Sequence, residues 1–192
     1  MQSKDLETFC PASRHDWRQW LYENHRSKQS VWLIFFKAKS GQPTLSWSEA
    51  VDEALCFGWI DSTRRTIDDE RFLQFFCRRK PKSGWSKVNK EKVPRLMEAG
   101  LMTPAGYESI AIAKQNGSWA MLDEVEELKV PDDLTQAFRA YPGSEDYFLS
   151  LSKSARKSIL QWIALAKRLE TRQNRINVVA ELACQKQKPK QF

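Results

Sequence analysis

The sequence predicts an α+β protein: a small, mainly antiparallel sheet with packed helices in the N-terminal half, followed by a helical C-terminal half. Three observations carry that reading. "SVWLIFFKAKS" places Val31, Leu33 and Phe35 on one face of a strand and Trp32, Ile34 and Phe36 on the other, so both faces are apolar and the strand belongs inside a sheet. "WIDSTRRTI" and "RFLQFFCRR" are strand-like runs separated only by "DDE", the spacing of a hairpin. Beyond Trp85 the apolar residues recur at helical spacing alone.

Each element has a local cause. Ser13 precedes a helical pattern that carries Trp17, Trp20 and Leu21 and ends near His25, and Asp16 stands in the first turn, where it faces free amides. After the strand, "KSGQPT" is a turn, and Ser46 with Glu49 forms a capping box ahead of Ala50, Val51, Ala54 and Leu55. Gly58 marks the end of that helix. Ser86 is placed to cap the next helix, Pro94 kinks it or delays its start, and Gly100 stops it. Thr103 and Pro104 are an N-cap and first-turn pair that put Ile110 and Ala113 on an inner face. "LDEVEELKVPDD" reads as an acidic connector or short helix, and "DLTQAFRAY" and "SEDYFLSL" as short helical pieces. Ser152 opens a long helical stretch whose two apolar stripes are offset around the axis (Ile159, Trp162, Ile163 and Ala166, then Ile176, Val179 and Ala183), so a break between them is expected. The organisation expected is an α+β portion over 1–85, a helical portion over 86–184 on the same core, and a disordered tail over 185–192.

Composition narrows the function. The 192 residues carry 41% hydrophobic and 29% charged side chains, ordinary for a globular protein. Eight tryptophans are many, and they imply aromatic packing with one or two exposed stacking surfaces. Lys4, Asp5 and Glu7 stand where a signal peptide needs an apolar run, and no stretch reaches membrane-spanning length, so a cytoplasmic protein without membrane insertion is expected. Cys10, Cys56, Cys77 and Cys184 include no C-x-x-C pair, and only His15 and His25 are present; neither a metal site nor a cofactor is expected. The formal charge is +7, and "RRKPKSGWSKVNKEK", Arg78 to Lys92, holds seven Lys or Arg and one Glu, so the basicity is local.

Three segments together are familiar: "EAVDEALCFGWIDSTRRTIDDERFLQFFCRRKPKSGWSKVNKEKV", "LMEAGLMTPAG" and "SARKSILQWIALAKRLETRQNRI". With them the chain, from about Trp17 to Leu182, resembles the bacterial YdeI/OmpD-associated family of bacteriocin-protection proteins. The resemblance implies a role in tolerance to bacteriocins or envelope stress, and it carries over no reaction, cofactor or catalytic residue.

The basic segment is the leading candidate site. Arg78 and Arg79 end a strand, and Lys82, Ser83, Trp85, Ser86 and Asn89 lead into a helix. Guanidinium forks pair with carboxylate or phosphate oxygens, helix-start amides add donors, and an indole stacks on a planar group. The partner expected is an anionic small molecule or an acidic protein surface. The alternative is a solvated loop whose Trp85 fills the core. In "ALCFGWIDS", Cys56 is a candidate nucleophile and Asp61 a candidate base, against the plainer reading of packing and an ion pair with Arg64 or Arg65. Asp68, Asp69 and Glu70 lack the spacing of a calcium loop and read as a polar turn. The basic C-terminal helix, with Arg156, Lys157, Lys167, Arg168, Arg172 and Arg175, has the sign for nucleic acid but no recognition motif.

Overall fold

In a computed structural model, residues 7–42 and 45–192 are described. The chain divides into two compact units, one of Met1–Ser83 with Val88–Asn116, the other of Gly84–Lys87 with Gly117–Phe192. The boundary falls within the basic segment, and the first helix after it belongs to the first unit.

The first unit is built on a four-stranded sheet of order β1-β2-β4-β3, with β1 Thr8–Phe9, β2 Ser30–Phe36, β3 Trp59–Thr66 and β4 Arg71–Arg78. The β2/β4 and β3/β4 ladders are antiparallel, and the hairpin turns where "DDE" predicts. The sheet is nonetheless mixed, because β1 runs parallel to β2. Two residues leave no periodicity to read in a sequence, which is why that strand has no local signature. β2 is interior by topology. One sheet face is core: Val31, Leu33 and Phe35 of β2 stand opposite Phe76, Gln74 and Phe72 of β4, and all six are buried.

The helices of this unit form where their caps dictate. α1 (Arg14–Asn24) starts at Ser13, whose side chain accepts from the Asp16 amide, and its Trp17 and Leu21 are fully buried. Trp17 donates its indole N–H to the Ala50 carbonyl at 3.0 Å and meets the Phe76 ring edge-on at 5.4 Å. α2 (Trp47–Cys56) has both halves of the Ser46/Glu49 capping box, and α3 (Lys87–Glu98) contains Pro94. α4 (Pro104–Gln115) buries Ile110 and Ala113.

The second unit contains α5 (Asp123–Glu126), α6 (Asp132–Arg139), α7 (Ser144–Ser150), α8 (Lys153–Ala164) and α9 (Leu169–Cys184). The break between α8 and α9 answers the offset stripes, whose Ile159, Ile163, Ile176, Val179 and Ala183 share one core with Leu134, Phe138 and Phe148. Past α9 the chain turns back, with Pro189 buried and Phe192 edge-on to Trp162 at 5.9 Å, where the composition of 185–192 suggests disorder. Phe192, two residues past Lys190, is the aromatic anchor of this short segment.

Candidate functional site

The basic segment is divided between the two units. Arg78 and Arg79 leave the end of β4 in opposite roles. Arg78 is tied by its backbone N–H to the Gln29 carbonyl at 3.1 Å, and its Nε donates to the His25 carbonyl at 2.7 Å. Its Nη2 is buried, with no hydrogen-bond partner among the described residues. Arg79 donates its backbone N–H to the Gly58 carbonyl at 2.9 Å. Burial pulls its guanidinium down to about 10, against the opposing pull of Asp61 and Cys77. The chain then turns tightly: Ser83 donates both N–H and Oγ to the Lys80 carbonyl, at 3.0 and 2.8 Å, which leaves Lys82 exposed. Trp85 and Ser86 belong to the second unit. Trp85 is 1% exposed, and its ring lies 4.8 Å from that of Trp119. Asn89 rides on α3.

The chain end of α1 is where Arg78 leads. His25 closes that helix, and its Nδ1 stands 2.9 Å from the Leu21 carbonyl, an acceptor only, so the proton sits on Nδ1 and Nε2 is left for another partner. The imidazole packs on the Phe57 ring at 5.2 Å, and the Arg18 guanidinium covers that ring at 5.3 Å. Beside His25 lies a groove of about 570 Å³, walled by Tyr22, His25, Arg26 and Phe57 and by the stretch Met102–Ala105.

Two glycines bring those walls together. Gly58 has φ +71°, and a Cβ there would come to 2.8 Å from the Ala105 carbonyl oxygen; a Cβ on Gly106 would overlap the Cys56 carbonyl. The start of α4 therefore abuts the end of α2, backbone on backbone. Thr103 secures the junction by donating its N–H and Oγ1 to the Cys56 carbonyl, at 3.1 and 2.7 Å. Its hydroxyl is thereby spent, and α4 begins with no side-chain cap at the groove. "ALCFGWIDS" and "LMTPAG" thus meet backbone to backbone at this junction.

The candidate chemical groups of that run sit elsewhere. Cys56 is fully buried, and burial, reinforced by Glu53, pushes its thiol up to about 11 against the pull of Arg18 and Arg14. The thiol is protonated at neutral pH, the opposite of an activated nucleophile. Asp61 accepts from Trp47 Nε1 at 2.9 Å and Gln74 Nε2 at 3.3 Å. Burial raises its carboxyl above the usual range, with the Trp47 hydrogen bond and Arg79 opposing. A β-bulge between Asp61 and Arg64 separates it from the arginines expected to pair with it.

A feature that the sequence reading passed over is the pair of acids on α2. Asp52 and Glu53 are 3% and 1% exposed. Glu53 accepts from Arg14 Nε and Arg18 Nη1, each at 2.5 Å, and Asp52 accepts from Lys92 and Arg95, each at 2.6 Å. The signal was present, since adjacent acids inside "EAVDEALC" interrupt an otherwise apolar helix, and a buried acid needs a cation.

Several other charges pair within their own unit. Asp68 closes the hairpin by taking Arg71 Nε and Nη2, at 2.9 and 2.7 Å. In the second unit Arg172 grips Asp133 through two nitrogens, Lys157 meets Glu126 at 2.6 Å, and Arg175 lies 4.9 Å over the Trp162 ring. Among the described residues no three His, Cys, Asp or Glu are placed to hold a metal ion, and no helix is long and apolar enough to cross a membrane.

Residues 9–109 match the family described as a domain of unknown function, DUF8412, and residues 127–185 match the family described as Bacteriocin-protection, YdeI or OmpD-Associated. No curated protein and no solved structure matches the chain.

Proposed function

We infer, for a chain that belongs to the DUF8412 family and over residues 127–185 matches the bacteriocin-protection family, that its first unit binds an anionic small molecule where the end of β4 meets the α1 terminus. The observation that carries this is Arg78: its Nε is fixed on the His25 carbonyl, while its Nη2 is out of water with no acceptor among the described residues. A buried charged donor left unmade costs about 1–3 kcal/mol or more, and an incoming carboxylate or phosphate oxygen recovers that cost. Arg79 beside it is drawn out of water too, and a desolvated guanidinium attracts an anion more strongly than a hydrated one. The groove on the other side of His25, lined by Arg26 rather than by Arg78 or Arg79, has the volume of a small-molecule site, and Tyr22, Phe57 and Met102 give it an apolar wall. The ligand class that fits is therefore a small carboxylate, phosphate or sulfonate with an apolar or planar body. The family description sets the context in which to look for it, protection against bacteriocins.

Calorimetric titration of the full chain with a panel of such anions tests the reading. Arg78→Gln is expected to weaken binding about tenfold or more, Arg78→Lys to recover only part of it because the planar fork is lost, and Lys82→Ala to change little. The reading fails if no anion of the panel binds saturably, or if Arg78→Gln binds as the wild type does.

A further inference from the structure

A second feature of the same sheet lies on β3, the strand that pairs with β4. β3 is an edge strand: it pairs with β4 on one side, and among the described residues no backbone group pairs with its other side. Ser62 to Ile67 are all exposed. An open edge this long is a template for another strand, and proteins blunt such edges with charge. Here the charge is unusually placed. The Arg64 guanidinium lies over the Phe72 ring at 3.7 Å, and that of Arg65 over the Trp32 ring at 4.7 Å. Phe72 and Trp32 belong to opposite faces of the sheet, because Phe72 stands opposite Phe35 and Trp32 opposite Phe75. The two guanidiniums are thus held on either side of one edge, each over an aromatic ring, at exposed positions. Neither meets a carboxylate among the described residues, although most other arginines of this unit do.

We propose that the open edge of β3 receives an extended acidic segment of a partner protein as a fifth strand. Side chains of a strand alternate between faces, so two neighbouring acids in that segment fall one on Arg64 and the other on Arg65, while its backbone completes the ladder. Stacking fixes both forks before binding, which lowers the ordering cost of the pairs. A second copy of this chain is the poorer occupant, because edge-to-edge pairing would bring four guanidiniums onto one ladder, while Asp61 of β3 is already held by Trp47 and Gln74 and Asp68 of the turn by Arg71. This site uses no residue of the anion groove, so the two proposals stand or fall separately.

The test uses the full chain and a fluorescein-labelled peptide of alternating valine and threonine with a central Asp-Glu pair, followed by anisotropy. The acidic peptide is expected to bind saturably. Arg64→Gln and Arg65→Gln, exposed positions that leave the fold in place, are each expected to weaken it about tenfold. A version with Lys-Lys in place of the acids, and a version N-methylated on alternate residues, are expected not to bind. Amide exchange at 63–66 should slow when the acidic peptide is added. The proposal is overturned if the acidic peptide does not bind, if the N-methylated peptide binds equally well, or if both glutamine variants keep wild-type affinity; the arginines then only guard the edge against aggregation.

Discussion

The sharpest stability prediction concerns Glu53. Its carboxylate is 1% exposed, whereas its partners Arg14 and Arg18 keep 38% and 31% of their side chains in water. Removing one arginine leaves the acid paired with the other. Arg14→Ala should cost about 1–2 kcal/mol, since a partly exposed pair is worth little more. Arg18→Ala should cost about 2–3 kcal/mol, because this side chain also donates Nη2 to the Leu101 carbonyl at 2.8 Å and covers Phe57. The double variant strands a buried carboxylate, for which breaking the last pair costs about 3–5 kcal/mol by itself. The loss should therefore exceed the sum of the single losses by about 1–2 kcal/mol. Adding Glu53→Gln to the double variant removes the stranded charge and should restore part of the stability. Urea unfolding at pH 7, followed by far-ultraviolet circular dichroism and repeated in 0.5 M salt, reads all four variants. Additive single losses, or no recovery with Glu53→Gln, would refute the argument that burial of the acid, not the number of ion pairs, sets the cost.

Three further expectations follow from the same region. Gly58→Ala adds left-handed strain to a backbone collision at Ala105, and should cost about 2–5 kcal/mol by thermal unfolding; Gly106→Ala, which meets the Cys56 carbonyl, should fall in the same range without the strain contribution. The Cys56 thiol, held up to about 11 in the fold, keeps its proton where an unfolded chain loses it, so stability should fall as pH rises from about 9 to 11. The fall from this group is roughly 2–3 kcal/mol, and Cys56→Ala should remove that contribution to the slope whatever the constant packing loss. Native-state alkylation at pH 8 should label the exposed Cys10 and Cys184 and spare Cys56 until the chain unfolds; fast labelling of Cys56 would revive it as a nucleophile.

The local grammar of the fold was legible in the residues that start and stop each element. Ser13, Ser46 and Ser152 cap their helices through their own side chains, and Gly58, Gly100 and the "DDE" turn punctuate as written. Thr103 shows the limit of such reading. It stands at the predicted helix start, yet its hydroxyl goes to Cys56, forty-seven residues away, because the α2 terminus supplies a stronger claim than its own helix does. The candidate site was legible in the same partial way. Arg78 and Arg79 were picked out by charge density, but nothing in their neighbourhood announces His25 as the residue that holds one of them.

Sequence alone therefore determined the kinds of element, their order and the local origin of the charge, because caps, turns and apolar periodicity act over a few residues. Tertiary structure alone decided which cations left the water, which acids on α2 they met, that Trp85 turned inward to Trp119, and that Arg64 and Arg65 flank a free edge. The physical reason is that desolvation and pairing depend on what the rest of the chain brings within a few ångströms, and separation along the backbone carries no record of that distance.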